Sequence, residues 1–386
     1  MTKSNKKKNI IIVSHKVVSQ PDDDLVLYLN NNKLENVLHI MHSFANAADR
    51  KSKYVWYKKG ILYRKEQTWD ASKLPILFLY LKELSYTLFW VFKSGKKWDL
   101  YIGMDGLCVL FGNILRFFCT VHQTIYWCID FVPENRFLNS SINKIYHWIN
   151  NSSATSADEM WDLSPRMAKG REDFFGITKK DYKKHKLVQY GMWINRIKTV
   201  PYEQSNKHTL IFLGNLSEYQ GLQLIIHALP ELKKKVPDIH LLIIGEGPYT
   251  SAVKELVIKL HVTQNCTFLG RIQDNKKMED IIATSALGVA TYVRKMDYIS
   301  RYADLGKIKT YLACGIPVIM TDIPWNASEI EKNKCGLITD EESKSVAKAI
   351  LTLLNKEINS TYRKNAREYA KQFNYQTIFD NLFPFI

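Results

Sequence analysis

From Leu210 to Thr321 the chain repeats one pattern: a short apolar run, a turn, then a stretch with helical periodicity. Leu210–Leu213, His240–Ile244, Cys266–Leu269, Leu287–Ala290 and Pro317–Thr321 have strand length. Between them lie Gly221–Lys235, Thr250–Leu260, Met278–Ala283 and Lys307–Ala313. In the first of these, Leu222, Ile225, Ile226 and Leu229 fall on one face, and Pro237 stops the helix. Strands separated by helices cannot close hairpins, so this rhythm, packed into about 110 residues, predicts a parallel, doubly wound sheet.

Glycines punctuate that pattern where strands end: Gly214, Gly245, Gly247 and Gly270. Such positions let the backbone approach a diphosphate, and the helix N-termini that follow offer free N–H groups and a positive dipole. Each glycine singly reads equally well as a tight turn. The N-terminal half shows a weaker version of the rhythm. Ile10–Val13, Tyr54–Tyr57, Leu100–Gly103 and Ile125–Ile129 are strand candidates, and Pro75–Phe92, Leu107–Phe118 and Ile142–Ile149 are helix candidates. The polar segment Arg196–His208 reads as a linker. The expected division is an N-terminal Rossmann-like domain over residues 1–200, a C-terminal one over 201–360, and a last segment, 361–386, crossing back to the first.

Five motifs of the second half carry a resemblance. Phe212-Leu213-Gly214-Asn215-Leu216 with Gly221, Leu241–Pro248 (LLIIGEGP), Asn265–Arg271 (NCTFLGR), Leu312–Ile319 (LACGIPVI) and Cys335-Gly336-Leu337-Ile338 stand in order. Their order and spacing resemble the family 4-type retaining glycosyltransferases of GT-B fold. The resemblance implies two Rossmann-like doubly wound domains facing across a cleft. It also implies transfer of a hexose-type sugar from a nucleoside diphosphate sugar to a hydroxyl acceptor, a lipid-linked or polysaccharide glycan, with retention at the anomeric carbon. The departing phosphate would take the acceptor proton, leaving the protein to stabilise charge and to position. No cofactor beyond the sugar nucleotide and no metal is implied. The alternative reading is a non-catalytic sugar-nucleotide-binding subunit of a glycan-synthesis complex.

The sequence departs from the family where charge is usually concentrated. Tyr302 and Thr310 occupy the places of two acids, and Asn215 and Gln220 those of a basic pair. Asp304 is the nearest acid, and Lys307 and Lys309 are the nearest cations, with Arg294 and Arg301 upstream. The expected donor-side set is therefore Gly214, Asn215, Gln220, Gly245, Gly247, Gly270, Arg271, Tyr302, Lys309 and Thr310, with Asp130, Asp304 and Lys307 as catalytic candidates. Asp304 reads either as a helix N-cap or as a ligand of sugar hydroxyls. On the acceptor side, His15, Asp105 and Glu134 lie past strand ends, as Asp130 does; a turn, a cap or a plain loop explains each equally simply.

The net charge of +16 fits phosphorylated molecules or an anionic bilayer. The basic residues are spread over several runs, including Lys3 with Lys6–Lys8, Lys93–Lys97 and Lys179–Lys186. No nucleic-acid-binding signature accompanies them, so no nucleic acid is expected as partner. Leu74–Phe92 is almost wholly apolar but holds Lys82 and Glu83 at its centre. It reads as a buried helix or as one lying in an anionic membrane interface, with Phe89 and Trp90 turned to the lipid. The six cysteines form no CxxC pair and no zinc-like cluster, and read as reduced core thiols. Asp22-Asp23-Asp24 reads as a loop. The expected location is cytoplasmic, peripheral on the inner face of the plasma membrane.

Overall fold

The computed structural model describes residues 9–15, 21–44, 47, 49–137, 139–294, 300–384 and 386; the lysine run near the N-terminus lies outside them. They divide into two compact units. One comprises residues up to 189 together with 378–386, and the other residues 190–377.

The strands of the first unit are β1 (Asn9–His15), β2 (Asn36–His42), β3 (Lys53–Lys58), β4 (Ile61–Gln67), β5 (Trp98–Gly103), β6 (Val121–Cys128), β7 (Glu159–Asp162) and β8 (His185–Leu187). They form one sheet in the order β4-β3-β2-β1-β5-β6-β7-β8. The six strands from β2 to β8 through β1 run parallel, and β3 and β4 add an antiparallel edge. Ile10–Val13 are fully buried, as a central parallel strand with both faces covered requires. The helices of this unit are α1 (Pro21–Asn31), α2 (Ile76–Lys93), α3 (Gly106–Phe117), α4 (Ser140–Ser156) and α5 (Pro165–Phe175).

Three features of this unit correct the sequence reading. The strand β2 was not expected, because His39 and His42 interrupt its apolar character; both are buried and hydrogen-bonded. Tyr54–Tyr57 belongs to an antiparallel hairpin, closed at Lys59-Gly60, where both φ angles are positive. The aspartate triplet is the acidic first turn of α1, where negative charge faces the positive end of the helix. Asp22 is buried and accepts hydrogen bonds from Ser14 Oγ (2.6 Å) and His39 Nε2 (2.7 Å).

The second unit holds β9 (Asn206–Leu213), β10 (His240–Ile244), β11 (Cys266–Gly270), β12 (Ser285–Ala290), β13 (Val318–Met320) and β14 (Gly336–Ile338). Every pairing is parallel, in the order β11-β10-β9-β12-β13-β14. Its helices are α6 (Leu222–Lys235), α7 (Thr250–Lys259), α8 (Asn275–Thr284), α9 (Gly306–Ala313), α10 (Ala327–Lys332), α11 (Ser343–Leu354) and α12 (Lys356–Ala370). One core lies beneath α6 and α11, around Leu210, Phe212, Ile225 and Ile350. A second lies around Ile308, Leu312, Val318 and Ile330.

The division falls at 189/190 rather than 200/201 because two arginines of α12 hold the segment between. Arg363 donates to Val200 O (2.9 Å), Ser285 O (2.8 Å) and Ala283 O (2.7 Å). Arg367 donates to Ile194 O and Ile197 O, and Met192 pairs with Asn374 in a parallel bridge. The segment expected to return as one piece is therefore split: 361–377 stay with the second unit, and 378–386 join the first. There Tyr28 donates to Asp380 (2.8 Å), and Phe379 and Phe383 lie against Trp127 and Trp161. α13 (Tyr375–Leu382) carries the chain across this boundary.

Candidate functional site

The carboxyl edge of the second sheet is built by close backbone approach. Gly214 N–H donates to Ile244 O (3.0 Å), Gly245 N–H to Gly270 O (2.8 Å) and Leu216 N–H to Glu246 O (3.0 Å), so three strand ends lie against one another. At Gly245 φ is +132°, and an added Cβ would sit 1.9 Å from Gly214 O; a side chain there would force the two loops apart. Gly247 abuts Leu216 in the same way. Gly221, at φ +73°, caps α6 and would put a Cβ 1.5 Å from Thr291 O, which fixes the β9 loop against the end of β12.

Lys307 enters this edge from the first turn of α9. Its Nζ donates to Gln220 Oε1 and lies 4.4 Å from the centre of the Phe212 ring and 4.9 Å from that of Tyr292. An added Cβ on Gly214 would meet the same Nζ at 3.0 Å. The fold thus brings Gly214, Gln220 and Lys307 together from the two ends of the β9–α6 loop and from a helix start. An ammonium over two aromatic faces beside a glycine turn suits an anionic oxygen. Asn215 is exposed, with Nδ2 donating to Ser217 Oγ (2.5 Å), and Arg271 is exposed just past β11.

Other donor-side candidates face elsewhere. Lys309 is 1% exposed. Its Nζ donates to Asp304 Oδ2 (2.5 Å) and Tyr190 O (2.7 Å) and lies 4.1 Å from the Phe373 ring centre. Burial lowers the Lys309 pKa, and Asp304 opposes that shift. Asp304 is itself buried, accepting also from Tyr190 N (2.7 Å) and Trp325 Nε1 (3.3 Å). It is not the N-cap of α9, a place Leu305 holds. These two expected site residues form an internal clasp. Thr310 is buried and donates to Gly306 O (3.0 Å), a bond within its own helix, and Tyr302 is buried. Arg294 is ion-paired with Asp322 and Glu341, past the ends of β13 and β14.

In the first unit the structure assembles a group that the sequence showed only in part. His15, at the end of β1, has Nδ1 2.7 Å from Asp105 Oδ2 and Nε2 3.0 Å from Glu83 Oε2. Asp105 caps α3 by accepting from Cys108 N (2.9 Å). Burial disfavours the imidazolium, but Asp105, Cys108 and Glu83 outweigh it and raise the His15 pKa well above its ordinary value. His15 and the hydrogen bonds from Cys108 overcome the desolvation of Asp105 and hold its carboxyl well below the usual range. Glu83 was missed because it stands inside an apolar run; a buried acid there needs a partner, which was the available signal. His15, Asp105 and Cys108 keep their ligand atoms within 4.8 Å of one another, as do Asp22, Asp23 and His39. The hydrogen bonds already described engage groups in both clusters.

Asp130 follows β6 beside a recess lined by Tyr126, Phe131, Tyr146, His147 and Asn150. Its side chain reaches solvent among closely packed groups, and desolvation raises its pKa against the pull of Arg136. Glu134 is exposed in the next turn. Of the cysteines, four are buried, Cys266 is half-buried and Cys119 is exposed, so the core reading does not hold for Cys119.

Residues 207–356 match the family described as glycosyl transferases group 1. A GDP-mannose-dependent alpha-(1-6)-phosphatidylinositol monomannoside mannosyltransferase from Mycobacterium tuberculosis is 26% identical over 161 residues, which is 40% of this chain and 40% of that protein. The match thus spans well under half of that relative. Sucrose-phosphate synthase from Thermosynechococcus elongatus superposes with a TM-score of 0.73 at 16% identity, covering 98% of each chain. Anabaena Alr3699/HepE, in a complex with UDP, superposes with a TM-score of 0.69 at 17% identity, covering 97% of this chain and 98% of that one. The chain has the GT-B fold, with two Rossmann-like units, and resembles family 4-type glycosyltransferases in its C-terminal half.

Proposed function

We propose that this GT-B chain is a glycosyltransferase that moves a hexose-type sugar from a nucleoside diphosphate sugar to a hydroxyl of a glycan or lipid-linked acceptor, with retention and without a metal. The observation that carries the reading is the meeting of Gly214, Gln220 and Lys307 at the carboxyl edge of the second sheet. The glycine turns admit a diphosphate to backbone distance, and Lys307 supplies the positive charge that Asn215 and Gln220 do not. As the sugar–phosphate bond breaks, charge develops on the leaving oxygen, where a preplaced ammonium acts most strongly. That oxygen then takes the acceptor proton, so no protein base is required at this step.

A thermal-shift screen with UDP-, GDP-, ADP- and dTDP-sugars, with and without EDTA, tests the reading. At least one donor raises the melting temperature in EDTA. Loss of every shift in EDTA, restored by Mn²⁺, overturns the metal-free donor site. Donor hydrolysis or transfer separates this reading from a binding subunit without turnover, which the buried Tyr302 and Thr310 favour by leaving no acid at those two places. Stabilisation by a donor with no turnover for any acceptor class selects the subunit.

The protein also works at an anionic bilayer, on the cytoplasmic side, through α2. On the buried side of this helix polar groups stand among Leu79, Trp90 and Val91, and large apolar side chains occupy its exposed side. Its buried positions include Lys82, Glu83 and Thr87, while Phe78, Leu81, Phe89 and Phe92 are about half exposed at helical spacing, with Ser85 among them. Trp90 is buried and donates to Glu66, so the outward pair is Phe89 and Phe92 rather than Phe89 and Trp90. No helix among the described residues is long and apolar enough to cross a membrane; the exposed stripe supports a helix lying in the interface, with Lys93 as its last residue and Lys96 and Lys97 beyond its end. Phe89→Ser with Phe92→Ser abolishes flotation with anionic vesicles; wild-type protein that does not float overturns this part of the reading.

A further inference from the structure

The apolar face of α2 continues onto a second element. α3 ends in Phe117, 82% exposed, followed by Phe118, 57% exposed. The two rings lie 5.4 Å apart, and Phe118 lies 6.1 Å from the ring of Phe92. The turn that carries them is closed by its own backbone: Phe118 N–H donates to Ile114 O (3.3 Å), Cys119 N–H to Arg116 O (2.9 Å) and Thr120 N–H to Leu115 O (3.1 Å). Cys119 takes a positive φ of 53°, which ends the helix sharply. Two large aromatic side chains therefore stand out of a preformed turn, and little conformational freedom remains to be lost when they are buried.

We infer that this turn, Phe117-Phe118-Cys119, is a second bilayer-inserting element that enters beside the C-terminal end of α2. The inference rests on the reading of α2 as lipid-facing. Charge decides the occupant. Lys93 lies over the Phe89 ring (5.1 Å), Lys96 and Lys97 follow within a few residues, and the nearby Glu66 is already held by Lys93, Arg64 and Trp90. A second copy docked symmetrically on this patch would set these lysines against their own counterparts. An anionic lipid surface complements them and accepts the rings at the same depth. The end of α2 and the α3 turn then form one wedge, and the stripe from Leu77 to Phe92, about 22 Å long at the helical rise, lies along the membrane.

Cys119 makes this measurable in the protein as it stands. It is the one exposed cysteine, so an environment-sensitive fluorophore attached there sits next to Phe118, and Cys119→Ser removes the label. With vesicles of phosphatidylcholine and phosphatidylglycerol, the labelled protein floats, its emission shifts to the blue, and lipids spin-labelled at shallow depth quench it. Phe117→Ser with Phe118→Ser, at positions where the fold tolerates polar groups, weakens partitioning on the order of 100-fold. Flotation without blue shift or quenching overturns the wedge and leaves the α2 reading standing. Failure to float overturns both. A blue shift that grows with protein concentration in the absence of vesicles assigns the patch to a second copy and overturns the proposal.

Discussion

Removing either partner of the Lys309–Asp304 pair should unfold the second unit at markedly lower temperature. Both side chains are withdrawn from water, at 1% and 0% exposure. The ammonium keeps Tyr190 O as its other hydrogen-bond partner, and the carboxylate also holds Tyr190 N and Trp325 Nε1. Asp304→Ala leaves an ammonium buried against one carbonyl and a phenyl ring. Lys309→Met leaves a buried carboxylate without its cation. Breaking such a pair from one side costs about 3–5 kcal/mol, which for a unit of this size lowers the melting temperature by roughly 10 °C. Asp304→Asn with Lys309→Met behaves differently: no charge is left buried, the amide oxygen in the place of Oδ2 still accepts from Tyr190 N, and the thioether fills the apolar space, while Trp325 Nε1, which bonds Oδ1, gives up only a long hydrogen bond of 3.3 Å. The double variant should lie within about 1.5 kcal/mol of wild type, because a buried ion pair exchanged for uncharged groups is often near neutral. The assay is thermal unfolding followed by near-ultraviolet circular dichroism, with the coupling taken from the double-mutant cycle. Single variants that melt within 2 °C of wild type but lose turnover would refute the clasp and return both residues to the donor chemistry.

Three further outcomes follow from the same geometry. Lys307→Ala lowers kcat/KM by about 10- to 100-fold, the size of one charge-assisted contact of ~1.5–3 kcal/mol; unchanged kinetics with every accepted donor would move the search to Arg294 and Arg301. Gly245→Ala places a Cβ 1.9 Å from Gly214 O, so it lowers the melting temperature and removes the donor-induced shift; a variant that keeps both refutes the backbone-approach argument. His15→Gln is destabilising in a pH-dependent way. The folded-state pKa of His15 lies above its unfolded value, so its contribution is fully present below about pH 6.5 and is lost as pH rises through the folded value. The melting difference between wild type and variant therefore shrinks toward high pH, and a difference that grows there refutes the assignment.

The second sheet was legible because its central strands are buried on both faces and its helices carry one apolar stripe each, so pattern and burial point to one answer. The first sheet was legible only where the same condition holds. Asn36–His42 escaped because its histidines are buried as hydrogen-bonded polar groups, a state that apolar periodicity does not register. Site residues divide the same way. Gly214, Gly245 and Gly270 announce themselves by position at strand ends. Lys307 and Lys309 look alike in the sequence, yet residues two apart on a helix face different ways. What separates them is Tyr190, more than a hundred residues upstream, which supplies the carbonyl that takes Lys309 inward.

Helix α2 shows how the same blindness can be turned to use. Lys82 and Glu83 at the centre of an apolar run look like a local charge pair that weakens either a core helix or a membrane one. The fold separates them. Lys82 donates to Arg50 O (2.9 Å) and Trp69 O (3.1 Å), and Glu83 turns to His15. The inward side of the helix is polar in part, where the strand ends beneath it present His15 and His42, the latter bonded to Thr87 (2.9 Å), while Leu79, Trp90 and Val91 are buried as apolar groups. Each buried polar group there has a partner, so that side already contributes to the fold. The outward Phe78, Leu81, Phe89 and Phe92 leave about half of their surface in water after folding, and polar residues would serve the exposed face of the helix as well. A surface stripe of this kind is explained by what it meets after folding. Because Glu83 of this helix holds the histidine that holds Asp105, the proposed membrane contact and the sheet edge of the first unit are joined by two hydrogen bonds.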